Sequence, residues 1–240
     1  MKLLDYDSPL MQALTKIANL MILNLLTIIC CIPIITAGAS LTALHYMCLK
    51  MKRNEDGYIV KGFFKAFAES FKQATPVWLI LIVVYVVFFG DFLIVYRAGI
   101  EFNYWFQVAL AVVGIFVIFV SLMVFPVMAK FSNTTFQTLK NALIISIVKF
   151  PITLAMLVLN IIPILITLYM LQLFPFVLMF GFSAPAFLAA CLYNKYFLKL
   201  EEQILAIQAE KEGIKEPEEA EEDERIFHDQ LEDTLENKKN

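Results

Sequence analysis

The sequence has few of the residues from which most enzyme sites are built. It holds only two histidines, four cysteines and eight glycines in 240 residues. It contains no glycine-rich phosphate loop, no His-Glu-x-x-His pair and no Gly-x-Ser-x-Gly turn, which are signatures of nucleotide, zinc-hydrolase and serine-hydrolase sites. We therefore expect that the protein is not an enzyme and that it has no catalytic residue and no cofactor.

Charged residues are also scarce, at 17% of the chain, whereas 60% of the residues are hydrophobic and the mean hydropathy is +0.73. A water-soluble domain could not bury that much apolar surface. Five apolar runs are about 20 residues long, the length at which an α-helix crosses the hydrocarbon core. They cover residues 17–36, 76–96, 106–128, 150–171 and 173–193. The sequence therefore predicts an all-α, polytopic membrane domain over residues 1–200.

The few charges are unevenly distributed along the chain. Residues 201–240 carry 15 acidic and 5 basic side chains, so we expect an acidic tail that is helical at first and then largely disordered. The loops after the first and third runs hold most of the remaining cations: Lys50, Lys52, Arg53, Lys61, Lys65, Lys72, Lys130, Lys140 and Lys149. Because basic loops stay on the cytoplasmic side, five spans place both loops and the tail inside and the N-terminus outside.

A shorter apolar stretch, residues 39–51, leaves the number of spans open. It is too short to cross the membrane comfortably, and it would then re-enter the membrane or lie in its interface. If it does cross as a short helix, the protein has six spans and the N-terminus is cytoplasmic. The basic loops are cytoplasmic in both arrangements, so charge does not decide between them.

Residues 58–73 form the clearest amphipathic stretch. Aromatic residues recur along it at helical spacing, with lysines between them: Lys61, Phe63, Phe64, Lys65, Phe67, Phe71 and Lys72. We predict that this segment lies along the inner membrane surface and turns into the second span near Pro76. A similar pattern before Pro151 divides the chain into two loosely similar halves, as in transporters with internal repeats.

Four short segments carry a family resemblance: CIPIITAGAS (residues 31–40), ALHY (43–46), GYIVKGFFKAF (57–67) and FKQ (71–73). Together they resemble the YesL-like family of bacterial membrane proteins, which is catalogued as a domain of unknown function. The resemblance implies a multi-pass protein of the bacterial cytoplasmic membrane whose relatives are often encoded beside sugar-uptake transporters and glycoside hydrolases. It assigns no catalytic residue.

Polar residues inside the apolar runs are the best site candidates, since a charge at membrane depth is costly. Asp91 is the only acidic residue within a predicted span. It is expected to bind a cation or substrate, to pair with Arg97 or a neighbouring helix, or to stay hydrated near the outer interface. Asn24 and Asn160 lie near the midpoints of the first and fourth runs, where side-chain amides commonly form hydrogen bonds across helices.

The histidine and cysteine residues do not predict a metal site. His45 and Cys48 are three residues apart, but the adjacent pair Cys30 and Cys31 is poorly placed to chelate one ion. We expect these cysteines, together with Cys191, to act as small apolar fillers.

Two functions from different classes fit these observations. The first is a non-catalytic membrane component that assists or regulates carbohydrate uptake by binding other helices in the bilayer. The second is a small permease for a sugar or related solute, built on the repeat and Asp91. The near absence of intramembrane charge favours the first. The expected partners are the lipid bilayer and transmembrane helices, either of transporter subunits or of a second copy, and no nucleic acid.

Overall fold

The computed structural model describes residues 9–55, 57–97, 104–131 and 134–212. Within these ranges the chain forms α-helices, two short 3-10 turns and no β-strand. The helices are α1 (Pro9–Cys31), α2 (Ala37–Arg53), α3 (Ile59–Arg97), α4 (Tyr104–Lys130), α5 (Thr135–Val148), α6 (Phe150–Tyr169), α7 (Phe174–Phe180) and α8 (Ser183–Glu212). The predicted all-α fold class is confirmed. The end of the acidic tail lies outside the described residues.

Four helices are long and apolar enough to cross a membrane: Leu10–Cys31, Ile59–Leu93, Gln107–Lys130 and Phe150–Tyr169. A fifth candidate is the pair Leu171–Phe180 and Ser183–Ala206, which is bent by 54° at the break between its two parts. Many large apolar side chains on these helices are exposed, as lipid-facing side chains are in a membrane protein. The structure therefore confirms four or five helices that could span a membrane, in agreement with the prediction of about five.

α1 and α2 form an antiparallel hairpin. Pro33 stands at the turn, where its missing N–H does not interrupt a helix. Near this turn, Ser40 Oγ on α2 donates to the Thr27 carbonyl of α1 at 3.1 Å. At the other end of the hairpin, Lys16 Nζ donates to Asn54 Oδ1 at 2.7 Å. Asn54 ends α2 in the left-handed conformation, with φ of 61°.

This hairpin favours the second of the two arrangements that the sequence left open, the one with six spans. The five-span topology placed the beginning of α1 and the basic loop after α2 on opposite sides of the membrane, whereas the Lys16–Asn54 contact holds both at one end of the bundle. The alternative fits the structure, because residues 39–51 run back along α1 as a helix. α2 has 17 residues and is about 25 Å long, slightly shorter than the hydrocarbon core.

α3 is one continuous helix of 39 residues that contains Pro76. Its length of about 58 Å is nearly twice the thickness of the hydrocarbon core. Trp78 Nε1 donates to the Ile34 carbonyl at the hairpin turn at 2.7 Å. Beyond that level α3 continues beside α4, to which Tyr85 donates a hydrogen bond at Ser121 Oγ, 2.8 Å away. The predicted turn near Pro76 is therefore wrong.

The predicted surface segment, residues 58–73, is the first half of α3 and packs along α2. Gly62 lies against Met47 of α2, and Phe63 is fully buried in the core. Phe67 and Phe71 are partly buried against the same core. The other members of the predicted set are exposed: Lys61, Phe64, Lys65 and Lys72. The surface role is therefore wrong for Phe63, which is fully buried in the core.

The core lies between α2, the first half of α3, the second half of α4, and α8. Its largest fully buried side chains include Met47, Phe63, Val77, Met123, Met128, Tyr193 and Phe197. α5 begins with a capping box between Thr134 and Gln137 and ends at Val148, with Lys149 as its C-cap. α6 begins at Phe150, and Pro151 is its second residue. The chain breaks before Pro151 but stays helical through Pro76, so the two halves of the predicted repeat differ at this point.

Candidate functional site

The last candidate span is interrupted where α7 meets α8 at 54°. Gly181 occupies the break, since a Cβ at this position would lie 2.5 Å from the Val177 carbonyl oxygen. A broken helix leaves backbone N–H and C=O groups without partners in their own helix, and an apolar environment requires other partners for them. Binding sites in transporters are often formed at such breaks. The junction is therefore the first candidate site.

Asn24 of α1 supplies the missing partners at this break. Its Oδ1 accepts hydrogen bonds from the N–H groups of Phe182 and Ser183, at 2.8 and 2.9 Å. Its Nδ2 donates to the carbonyl of Leu178 at 2.8 Å. The side chain is fully buried. Asn24 thus caps the start of α8 from another helix, a role usually filled by the residue that precedes the helix.

Ser183 is another polar residue at the junction. Its Oγ is buried and makes no hydrogen bond within the described part of the chain. Cys48 of α2 approaches the same residue, with its Sγ 4.0 Å from the Ser183 carbonyl oxygen. Both residues are fully buried. Three helices, α1, α2 and α8, therefore meet at a small, closed polar junction.

Polar contacts between α2 and α8 continue from this junction along α8. Tyr193 Oη lies 3.2 Å from His45 Nδ1, and Tyr193 is fully buried. Arg53 Nε donates to Asn194 Oδ1 at 3.1 Å. Ser183, Tyr193 and Asn194 thus lie on the face of α8 that packs against α2, and they join the two helices by polar contacts along their length.

Charged side chains make the contacts at one end of the bundle, where α8 extends beyond the other helices. Lys130 Nζ of α4 lies 2.7 Å from Glu201 Oε1 of α8, and these side chains are only 7% and 17% exposed. Nearby, Lys149 Nζ lies 4.5 Å from the centre of the Tyr196 ring. We call this the tail end of the bundle. A largely buried ion pair stabilises the contact only while both partners are present, so Lys130 and Glu201 depend on each other.

The three intramembrane residues singled out from the sequence lie in different places. Asn24 bonds across helices, as the sequence suggested. Asn160 is exposed, and its Nδ2 donates to the Met156 carbonyl of its own helix at 2.9 Å. Asp91 is partly buried in the second half of α3. No hydrogen bond or ion pair joins any two of the three in the described ranges, so they do not form one site.

The predicted fillers among the cysteines occupy different environments. Cys48 is buried, Cys30, Cys31 and Cys191 are partly buried, and all four carry free thiols. Among the residues that the structure describes, no group of three His, Cys, Asp or Glu could hold a metal ion. His45 has Tyr193 as its neighbour.

Sequence reasoning missed the polar residues of α8. Four of them were not singled out, although they lie within five turns of one helix: Ser183, Tyr193, Asn194 and Glu201. The spacing of Ser183, Asn194 and Glu201 by 11 and 7 residues is the signal that could have found them, because these steps return to the same helix face.

The sequence model of a family described as "Protein of unknown function, DUF624" matches residues 20–92. This range contains α2, about half of α1 and most of α3, and it includes Asn24, Cys48 and Arg53. No curated protein and no solved structure matches the chain. The family match supports a catalogued domain of unknown function in the first part of the chain.

Proposed function

We propose that this protein is a non-catalytic component of the bacterial cytoplasmic membrane that assists or regulates a carbohydrate uptake system. Its apolar helices support the membrane assignment. The carbohydrate assignment rests on the resemblance to the YesL-like family, whose members are often encoded beside sugar transporters. The basic residues at the tail end, among them Lys50, Lys52 and Arg53, support a cytoplasmic position for that end.

The observation that carries the assisting role is the exposed amide of Asn160. This residue lies at the middle of α6 and has exposed apolar side chains beside it on the surface, Ile161 and Ile164. Its Oδ1 accepts no hydrogen bond within the described part of the chain, and lipid tails offer none. A transmembrane helix with a polar side chain would satisfy this group, as amides do between membrane helices. The occupant we propose is a helix of a sugar transporter subunit.

A small permease is the second candidate, and the broken helix between α7 and α8 favours it. Transporters bind solutes at such breaks. Here, however, the Asn24 amide is occupied by the backbone of both helices, and Asn24 and Ser183 are fully buried. The Asn24 amide, which would bind a solute at this break, is thus engaged in holding the fold, and this favours the assisting role.

The test is affinity purification of the intact protein from its native membrane in a mild detergent, followed by mass spectrometry. We expect sugar transporter subunits in stoichiometric amounts with the natural protein. The Asn160→Leu variant should recover about three- to twentyfold less, which corresponds to the free energy of one hydrogen bond between membrane helices. Ile164→Leu is the matched control, since it alters the same face without removing a polar group.

Recovery of the protein alone, or only with further copies of itself, would contradict the assisting role. Reconstitution in liposomes then tests the permease directly by sugar uptake. In that case Asp91→Asn should abolish ion-coupled uptake, whereas an assisting component should tolerate this substitution with unchanged transporter recovery.

A further inference from the structure

A small pocket at the tail end of the bundle lies between α2 and α4. Its lining consists of Tyr46, Leu49, Lys50, Arg53, Glu55, Ala129 and Lys130. The space in which a water-sized group fits is about 20 Å³, and the whole unfilled volume, which includes open solvent, is about 290 Å³. There is room for about one water-sized group, which is the size of a single oxygen atom of a larger polyatomic anion.

One donor in this lining is buried without a partner. Arg53 donates from Nε to Asn194, but its Nη2 is buried and has no hydrogen-bond partner in the described residues. A guanidinium N–H withdrawn from water and left unpaired is costly. Arginine presents its N–H groups in a fork that matches the oxygens of carboxylates and phosphates, and Arg53 lines the pocket. Because Nη2 itself has almost no surface open to a water-sized group, an oxyanion would pair with it after the side chain shifts toward the pocket, and this pairing would remove the cost.

Two other cationic residues, Lys50 and Lys130, line the same pocket as Arg53. Lys130 is almost completely buried and is paired with Glu201. Lys50 Nζ lies 5.4 Å from the centre of the Tyr46 ring, and this side chain is only partly exposed.

The charge around the pocket is positive. Lys50, Arg53 and Lys130 are three cations, and Glu55 and Glu201 are two carboxylates. Glu201 is paired with Lys130, so these two charges offset each other. The charges that remain in the lining are the positive ones of Lys50 and Arg53 and the negative one of Glu55. This excess favours an anionic ligand over a cation or a neutral solute.

We propose that this tail-end pocket binds a phosphate-type oxyanion, with Arg53 and Lys50 as its ligands. One oxygen would lie in the water-sized space, and the rest of the group in the open mouth. An anionic phospholipid head group and a free phosphate present the same chemistry, and basic pockets at the cytoplasmic ends of membrane helices bind such head groups. This site is independent of the proposed role in carbohydrate uptake.

The test uses the full chain purified in a neutral detergent. Native mass spectrometry and thermal unfolding are measured with phosphatidylglycerol, with phosphatidylcholine of the same acyl chains, and with inorganic phosphate. We expect phosphatidylglycerol or inorganic phosphate to bind and raise the unfolding temperature, and phosphatidylcholine to do neither. Binding of the lipid alone identifies a head-group site, whereas binding of inorganic phosphate identifies a site for soluble phosphates.

Arg53→Gln and Lys50→Gln should each weaken the binding by at least about tenfold, the effect of losing one charge-assisted hydrogen bond. Lys52→Gln is the matched control, because Lys52 is exposed on the same helix and the substitution removes the same charge. The Lys50 variant also serves if Arg53→Gln does not fold. The proposal is overturned if neither anion binds, or if Lys52→Gln weakens binding as much as the two pocket variants.

Discussion

Asn24 on α1 holds Ser183 at the start of α8, its Oδ1 accepting the Ser183 N–H at 2.9 Å across 159 positions of the chain. The same oxygen accepts the Phe182 N–H. The side chain therefore makes the break in the last candidate span part of a packed core and fixes the position of α8 relative to α1. The break is stabilised by one residue of another helix, and its geometry depends on that residue.

Replacing Asn24 should destabilise the protein more than replacing any lipid-facing polar residue. In Asn24→Leu, three backbone groups at the break lose their partner in a buried apolar environment. We expect the free energy of unfolding to fall by about 2–4 kcal/mol, measured by thermal or denaturant unfolding in detergent. Asn160→Leu is the control and should leave stability nearly unchanged. Equal effects of the two substitutions would contradict the role given to Asn24.

Gly38 allows α2 and α3 to pack closely. An added Cβ would lie 2.6 Å from Trp78 Cβ and 2.9 Å from the Ala74 carbonyl oxygen. Gly38→Ala should therefore lower the free energy of unfolding by about 1–3 kcal/mol. In Gly90→Ala the Cβ meets nothing within 4 Å, and alanine favours the helix, so stability should be unchanged or rise by about 0.5–1 kcal/mol. A neutral Gly38→Ala would show that the two helices are not in this contact.

The ion pair between Lys130 and Glu201 joins α4 to α8. Glu201→Gln leaves a lysine that is largely buried without its counter-charge, and we expect a loss of about 2 kcal/mol of stability. The neighbouring exposed carboxylate is the control, since Glu202→Gln should change stability by less than about 0.5 kcal/mol. Adding Lys130→Met to Glu201→Gln should restore part of the lost free energy of unfolding. If the double variant loses the sum of the two single losses, the pairing is contradicted.

The hairpin of α1 and α2 places Lys16 and Asn54 at one end. In right-side-out and inside-out vesicles, single cysteines at these two positions should react with a membrane-impermeant thiol reagent from the same side. A cysteine at Ile34, in the hairpin turn, should react from the other side. The natural chain, with its buried and partly buried thiols, gives the background. Reaction of Lys16→Cys and Asn54→Cys from opposite sides would restore the five-span topology.

The membrane-spanning helices could be predicted from the sequence because run length and hydropathy reflect contact with lipid directly. α2 could not be identified as a membrane-spanning helix in the same way. Its buried residues include Ala39, Ala43 and Leu44, so the helix packs against other helices rather than against lipid. Its length and composition therefore do not have to meet the requirements of a lipid-facing span.

Proline and asparagine illustrate what composition cannot decide. Pro76 lies within a continuous helix, whereas Pro151 follows the break at Lys149. Membrane helices tolerate proline where neighbouring groups compensate for the lost hydrogen bond. Asn24 and Asn160 both occupy the middle of an apolar run, yet one is buried at a helix break and the other faces outward. Only the packing of the other helices distinguishes them.

The most direct test of the assisting role is cross-linking from the Asn160 face in the native membrane. A photo-cross-linking residue is placed at Ile164, which is 58% exposed and one turn from Asn160, and, as the control, at Val86 on α3, which is 64% exposed. The proposed function predicts a discrete adduct with a sugar transporter subunit from Ile164, reduced by Asn160→Leu, and none from Val86. Adducts with lipid alone, or only with a second copy of this chain, would contradict it.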